Sequence, residues 1–185
     1  ALPISGSPMF LVPFVLIGLA TVPLAGGRVG ALAEIRFRGL RLLAAAFALQ
    51  VPLAFAGMPD GACRALQLGS YAFVAGFLAA NRHLTGIPVV AVGACTNLIA
   101  IAANGGVMPA SAAAYARAGL TDTAGFASSA VLDAPRLLPL GDVFAIPASW
   151  PFHNVFSLGD ICIAVGAVLA VHAACRCPWL ADARS

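Results

Sequence analysis

The residues from Gly86 to Ala103 read GIPVVAVGACTNLIAIAA, an apolar run that contains no charged side chain. A transmembrane helix needs about 20 consecutive, predominantly apolar residues. Four further apolar runs occur along the chain, so the sequence predicts an all-α integral membrane protein of about five transmembrane helices. The predicted spans are 9–25, 40–57, 65–80, 86–103 and 155–174.

The composition agrees with this prediction. Of the 185 residues, 61% are hydrophobic and 9% are charged, whereas a soluble domain carries about 25% charged residues. Too few polar side chains remain to cover a surface that faces water. We therefore predict a single membrane domain, 1–185, with the lipid bilayer as a partner. The net charge of +3 does not suggest nucleic acid.

The distribution of arginine predicts the orientation, because cytoplasmic loops carry an excess of basic residues. Seven arginines fall on one side of an alternating five-span topology. The opposite side holds Arg64, Arg117 and Arg136, together with several aspartates. No basic residue precedes the first run, so we interpret it as a retained span and not as a signal peptide. The N-terminus is predicted outside and the C-terminus in the cytoplasm. The seven arginines are Arg28, Arg36, Arg38, Arg41, Arg82, Arg176 and Arg184.

The first connection and the long fourth connection have distinct sequences. Arg28, Arg36, Arg38 and Arg41 alternate with apolar residues, and we predict that they lie at the membrane surface. The segment is either a short amphipathic helix on the cytoplasmic leaflet or an ordinary basic loop. The stretch 104–154 is too apolar for a disordered tether, and we predict a structured cap over the outer helix ends.

Four polar residues fall at similar depth in the outer half of the predicted bilayer, and they are the candidate ligand-binding site: Gln50, Asn97, Asn104 and Asp160. An ionisable residue inside a span suggests a functional site. A structural interpretation is favoured over ligand binding. Asp160 can interact with the N-terminal dipole of its helix, capped by Ser157 or a neighbour, and Asn97 can join two helices through a hydrogen bond.

Catalytic and cofactor signatures are not found. The sequence has no phosphate-binding glycine loop, nucleophile elbow or His-Glu-x-x-His motif, so an enzyme is not favoured and no resident metal is predicted. His83 and His172 both lie near cytoplasmic span ends, where a haem held by the pair is sterically possible, but two lone histidines at interfaces are more often ordinary polar residues, so no cofactor is predicted. Cys175 and Cys177 lack the usual zinc spacing, which favours structural thiols.

The element Asn104-Gly105-Gly106-Val107-Met108-Pro109 follows the fourth run. Its two glycines allow positive φ, either for anion binding by backbone amides or for a helix stop, which we favour. This element, with EIRFRGLRLLAAAFALQ (34–50) and NVFSLGD (154–160), resembles a family of bacterial multi-spanning membrane proteins catalogued as a domain of unknown function. The similarity covers about 26–174 and implies a bacterial inner-membrane location. It carries over no catalytic residues.

Three functions are consistent with these observations. The leading hypothesis is a non-enzymatic accessory or scaffold subunit that packs against other membrane protein subunits, because helices rich in alanine and glycine allow close packing. The alternatives are a small lipid- or quinone-binding protein with an outer-leaflet pocket, or a transporter component. No internal repeat of the kind found in many transporters is present.

Overall fold

The computed structural model describes residues 8–54, 59–120, 129–151 and 153–182. The chain is mostly helical, as predicted. Five helices form a bundle, and two short helices and four short strands lie outside it. The bundle helices are α1 (Pro8–Thr21), α2 (Leu40–Gln50), α3 (Asp60–Ala80), α4 (Ile87–Ala103) and α6 (Leu158–Ala174). The short helices are α5 (Ala112–Ala118) and α7 (Pro178–Asp182).

The order of helices across the bundle differs from their order in the chain. Helix α6 packs against both α1 and α4, and α3 packs against both α4 and α2. Helix α1 runs parallel to α6, with Gly18 against Val168 and Thr21 against His172. Helices α3 and α4 are antiparallel, as are α4 and α6. The bundle order is therefore α1, α6, α4, α3, α2.

Glycines bring α4 and α6 into close contact. A Cβ atom built on Gly93 would overlap the carbonyl oxygen of Gly159, and one built on Gly86 would overlap that of Gly166. The two glycines on each helix are seven residues apart, so both lie on one face after about two turns. Small residues at such contacts allow the backbones of two helices to approach closely.

Glycines also follow the ends of several helices, and each of these ends has the same type of backbone hydrogen-bond pair. At the end of α4, Gly105 N–H donates to Ala102 O (3.2 Å) and Gly106 N–H to Ile101 O (2.9 Å), with Gly105 at φ +68°. This is the Schellman arrangement, so the predicted helix stop is confirmed. Gly26 and Gly119 occupy the same position after α1 and α5.

The segment after α4 folds over the end of the bundle as two small sheets and α5. Strand β1 (Met108–Pro109) pairs in parallel with β2 (Ser129–Ala130). Strand β3 (Phe144–Ile146) pairs antiparallel with β4 (Asn154–Phe156). Tyr115 and neighbouring alanines of α5 pack with Val155 of β4 to form a small core. A short 3-10 helix, Leu138–Leu140, contacts α4.

Several predicted boundaries are wrong, for local reasons. The predicted second span continues beyond Gln50, whereas helix α2 ends at Gln50 and the chain continues as a 3-10 helix, Val51–Ala54. Helix α3 begins earlier than predicted, at Asp60, directly after Pro59. Helix α6 begins later, at Leu158, because the preceding residues form β4. Residues 55–57 of the predicted second span lie outside the described residues.

The first connection is a loop and not an amphipathic α-helix. It contains one 3-10 helix, Val29–Glu34, and returns to extended backbone at Ile35. Helix α1 also ends earlier than predicted, at Thr21, two residues before Pro23, whose nitrogen has no hydrogen to donate to the helix. The arginines of this connection therefore project from irregular backbone.

The helices of the bundle differ in length relative to the thickness of a bilayer. Among the described residues, one helical stretch, Gly61–Ala80, is both long enough and apolar enough to cross a membrane. Helices α4 and α6 have 17 residues each, which corresponds to about 25 Å at 1.5 Å per residue. Helices α1 and α2 are shorter, with 14 and 11 residues.

Candidate functional site

The start of α6 is built around Ser157 and Asp160. The Ser157 Oγ accepts a hydrogen bond from Asp160 N–H (3.0 Å), and Asp160 Oδ2 accepts one from Ser157 N–H (2.9 Å). This reciprocal pair is a capping box, which satisfies backbone donors that the first turn leaves unpaired. The sequence Ser-Leu-Gly-Asp therefore fixes where α6 begins, and Asp160 lies in its first turn.

Asn97 of α4 completes a three-residue polar cluster with this cap. Its Nδ2 donates to Asp160 Oδ1 (2.9 Å), and the Ser157 hydroxyl lies 2.9 Å from Asn97 Oδ1. Ser157, Asp160 and Asn97 are 0%, 4% and 7% exposed. Both carboxylate oxygens of Asp160 thus have protein donors, and the cluster joins α4 to α6 through buried hydrogen bonds.

Gly159 makes room for this cluster. A Cβ atom built at Gly159 would overlap Asn97 Oδ1, so any larger residue at this position would displace the Asn97 amide. The carbonyl oxygen of Gly159 meanwhile lies against Gly93 of α4. The close helix contact and the polar cluster therefore depend on the same glycine.

Asn104 lies apart from this cluster and fastens the cap to α4. Its Nδ2 donates to Ala100 O (2.7 Å) and to Arg136 O (2.7 Å), and its Oδ1 accepts from Arg136 N–H (2.8 Å). We call this arrangement, in which one asparagine side chain bonds both backbone groups of a distant residue, an amide bridge. It uses both ends of the side-chain amide, so Asn104 has a defined structural role.

Asn81 forms a second amide bridge at the opposite end of the bundle, and sequence reasoning missed it. Its Nδ2 donates to Phe77 O and Arg38 O (both 2.8 Å), and its Oδ1 accepts from Arg38 N–H (2.9 Å). The side chain is fully buried. The available signal was the sequence Ala-Ala-Asn at the end of an apolar run, which occurs at 79–81 and again at 102–104.

Gln50 belongs to a third network, between α2 and α3. Its Nε2 donates to Ser70 Oγ (2.8 Å), and the Ser70 hydroxyl donates to Gln67 O (2.7 Å). Among the described residues, Gln67 Oε1 is a buried side-chain oxygen with no hydrogen-bond partner. The structure therefore brings Asn97 and Asp160 together, and it places Gln50 and Asn104 in two separate networks.

The predicted membrane-surface arginines lie at one end of the bundle. Arg28 N–H donates to Cys175 O at the end of α6 (2.8 Å), and Arg38 is bridged to Asn81 at the end of α3. Arg41 lies in the first turn of α2, and Arg36 lies in the connection between the 3-10 helix Val29–Glu34 and α2. All four side chains are exposed.

His172 has protein partners at both ring nitrogens. Its Nδ1 accepts from Trp179 Nε1–H (3.2 Å), so Nε2 carries the hydrogen that faces Thr21 Oγ1 (3.0 Å) and Gly18 O (3.1 Å). His83 is exposed. This arrangement ties α1 and α7 to α6 and leaves His172 no free nitrogen for haem iron.

The two C-terminal cysteines are buried structural thiols. Cys175 and Cys177 are almost fully buried, and both are free. Cys177 Sγ packs so tightly on Gly27 that a Cβ atom there would overlap it. Within the described ranges, no group of three or more His, Cys, Asp or Glu side chains is placed to hold a metal ion.

The fold and the clusters define a helical-bundle protein in which buried polar side chains join helices to each other and to a small cap. The chain belongs to DUF5317, a family of unknown function, whose sequence profile matches residues 34–172. The predicted resemblance to a family of unknown function is therefore confirmed. Comparisons with curated proteins and with solved structures find no match.

Proposed function

We propose that the chain is an integral protein of the bacterial inner membrane and that α1, α2, α3, α4 and α6 all cross the bilayer. The distribution of polarity supports this proposal. The polar side chains Ser157, Asp160, Asn97 and Asn81 are buried, whereas only 28% of the apolar window in Gly61–Ala80 is buried. Large apolar side chains on several bundle helices are exposed, among them Leu16, Ile17, Phe47, Phe73, Val92, Ile99 and Val165.

Lipid requires an apolar exterior, and it favours the burial of polar side chains against other helices. Lipid tails are as apolar as leucine, so the hydrophobic effect does not drive helix association, and polar bonds and close packing hold helices together instead. Helices of 17 residues fall a few ångströms short of the roughly 30 Å hydrocarbon core, a mismatch that local thinning of the bilayer accommodates at modest cost. The arginine-rich end faces the cytoplasm in this proposal.

We infer that the protein acts as a non-enzymatic accessory or scaffold subunit of a larger membrane complex. This inference rests on the hydrogen-bond partners of the polar side chains. Asn97, Asp160, Asn104 and Gln50 are each bonded to another helix or to the cap. Such side chains build a rigid frame, and the exposed apolar faces remain available for neighbouring subunits.

A lipid- or quinone-binding function is the second candidate, supported by a specific cavity. A groove of about 280 Å³ between α1 and α6 is lined entirely by apolar side chains, including Phe14, Phe156, Ile161 and Val168. Its chemistry fits a hydrocarbon or isoprenoid chain. The residues that line this groove include none of the four residues of the predicted outer pocket.

Purification of the full chain from native membranes in a mild detergent tests these functions. An accessory subunit retains a membrane protein partner in fixed stoichiometry, identified by mass spectrometry. A chain that purifies alone and carries one lipid or quinone supports the second candidate. Release of the chain from membranes by alkaline carbonate would refute the proposal of an integral membrane protein.

A further inference from the structure

We propose that the arginine-rich end of the bundle is a preformed binding surface for the headgroups of anionic phospholipids. The basic surface comprises the connection 26–41 together with Arg82 and Arg176. The inference rests on the proposed membrane function, and it adds a specific lipid partner and the residues that recognise it.

Charge separates the two ends of the bundle. Six arginines of the described residues lie at the basic surface, all with exposed side chains, and Glu34 is the one carboxylate at that end among the side chains that the structure describes. Glu34 forms an ion pair with Arg176. At the opposite end, three arginines are balanced by Asp133, Asp142 and Asp160. The basic surface is therefore the end that attracts anions.

The backbone of the basic surface is fixed before any ligand binds. The amide bridge from Asn81 holds both the N–H and the C=O of Arg38, and Cys175 O accepts from Arg28 N–H. Between these two anchors, Ala31 is buried against the bundle. Binding then orders few additional residues, and less of the interaction energy is lost to conformational entropy.

Exposed apolar side chains lie among the arginines and identify a lipid surface as the partner. Val29, Phe37 and Leu40 are 45%, 41% and 56% exposed. The Phe37 ring lies 5.9 Å from that of Phe77 on α3, and Leu40 begins α2. The apolar residues thus continue directly into the bundle helices. Alternating arginine and apolar side chains match a headgroup region in which phosphates border acyl chains.

The test measures lipid preference on the full chain purified in detergent. Native mass spectrometry during titration with phosphatidylglycerol or phosphatidylcholine gives the affinity for each lipid. We expect the unmodified chain to prefer phosphatidylglycerol, and the triple variant Arg36→Gln/Arg38→Gln/Arg41→Gln to lose that preference by roughly tenfold or more, since each basic residue near an anionic surface contributes roughly fivefold. The matched control Arg64→Gln/Arg117→Gln/Arg136→Gln removes the same charge from the opposite end and is expected to keep the preference.

A second variant tests whether the fixed backbone matters. Asn81→Leu keeps every arginine but removes the amide bridge to Arg38, and we expect a several-fold loss of preference. Its thermal unfolding shows whether the bundle remains folded. Equal preference in the unmodified chain and the Arg36/Arg38/Arg41 variant would overturn the inference, as would equal losses in both triple variants. A carbonate-resistant chain with no lipid preference refutes this inference alone, whereas carbonate extraction refutes the membrane proposal on which it rests.

Discussion

Asp142 is expected to destabilise the folded cap at neutral pH. The side chain is 5% exposed, and its pKa is raised from 3.8 to about 6. Burial is the main cause, and the nearby carboxylate of Asp160 raises the pKa further. A hydrogen bond from Ser129 acts in the opposite direction and lowers the pKa. Asp142 Oδ2 accepts from the Ser129 hydroxyl (2.6 Å). Asp142 lies just before β3, and its backbone binds the residues at the end of β1. Asp142 N–H donates to Pro109 O (2.9 Å), and Asp142 O accepts from Ser111 N–H (3.0 Å).

The sign of the pH effect follows from proton linkage. Between pH 3.8 and about 6 the folded state binds more protons at Asp142 than the unfolded state, so the free energy of unfolding falls as pH rises through this window. A shift of about two pKa units corresponds to about 3 kcal/mol at pH 7 and above. The substitution Asp142→Asn removes the titration, and its amide oxygen still accepts from Ser129. We therefore expect this variant to be more stable at pH 7.5 by about 1–3 kcal/mol.

Thermal unfolding in detergent between pH 4.5 and 7.5 checks this prediction. The Tm of the unmodified chain should fall across the window, whereas that of Asp142→Asn should stay nearly constant and be higher at pH 7.5. Asp133→Asn, at an exposed position of the same cap, is the matched control and should retain the pH dependence of the unmodified chain. The reasoning is refuted if the Tm of the unmodified chain rises with pH, or if Asp142→Asn is less stable at pH 7.5.

Three further substitutions test the polar clusters. Gly159→Ala introduces a Cβ atom that overlaps Asn97 Oδ1 and should destabilise the protein by about 1–3 kcal/mol; Gly61→Ala, where a Cβ atom meets nothing within 4 Å, should leave the Tm unchanged or slightly raised. Asp160→Asn should lower the Tm while any partner protein still co-purifies, and a stable variant that loses its partner or ligand would instead favour a binding role. Asn81→Ala leaves the N–H and C=O of Arg38 unpaired and should cost about 1–3 kcal/mol, measured by chemical unfolding; an unchanged unfolding midpoint would contradict the proposed bridge.

The sequence predicted the bundle helices well because long apolar runs are read directly from composition. The helix ends were predicted less well, because they depend on local features such as prolines and strand pairing. Pro59 starts α3 earlier than hydropathy suggests, and pairing of residues 154–156 in β4 delays α6. Both the capping role of Ser157 and the helix stop at Gly105 follow from local sequence, and both were anticipated.

The candidate site could be predicted only in part, because depth in a bilayer does not determine lateral position. Depth correctly paired Asn97 with Asp160, whose helices are neighbours. It also grouped them with Gln50, although α2 lies at the edge of the bundle beyond α3. The order of helices depends on packing between distant segments, and one sequence does not contain it. The role of Asn81 was missed because a polar residue after a span is typical of any membrane interface.

The joints between helices that are distant in sequence show why the polar residues occur where they do. Helix α1 is tied to α6 by Thr21 and His172, and α4 is tied to α6 by Asn97 and Asp160. In the proposed membrane setting, these bonds give each helix a preferred neighbour that apolar contact alone does not specify. The α3–α4 joint instead packs through apolar residues such as Phe77 and Ile87, and these two helices are joined by the shortest connection in the bundle. Chain connectivity specifies that neighbour directly. The pairs Thr21–His172 and Asn97–Asp160 join helices that connectivity does not bring together, whereas Gln50 and Ser70 add a hydrogen bond between the consecutive helices α2 and α3.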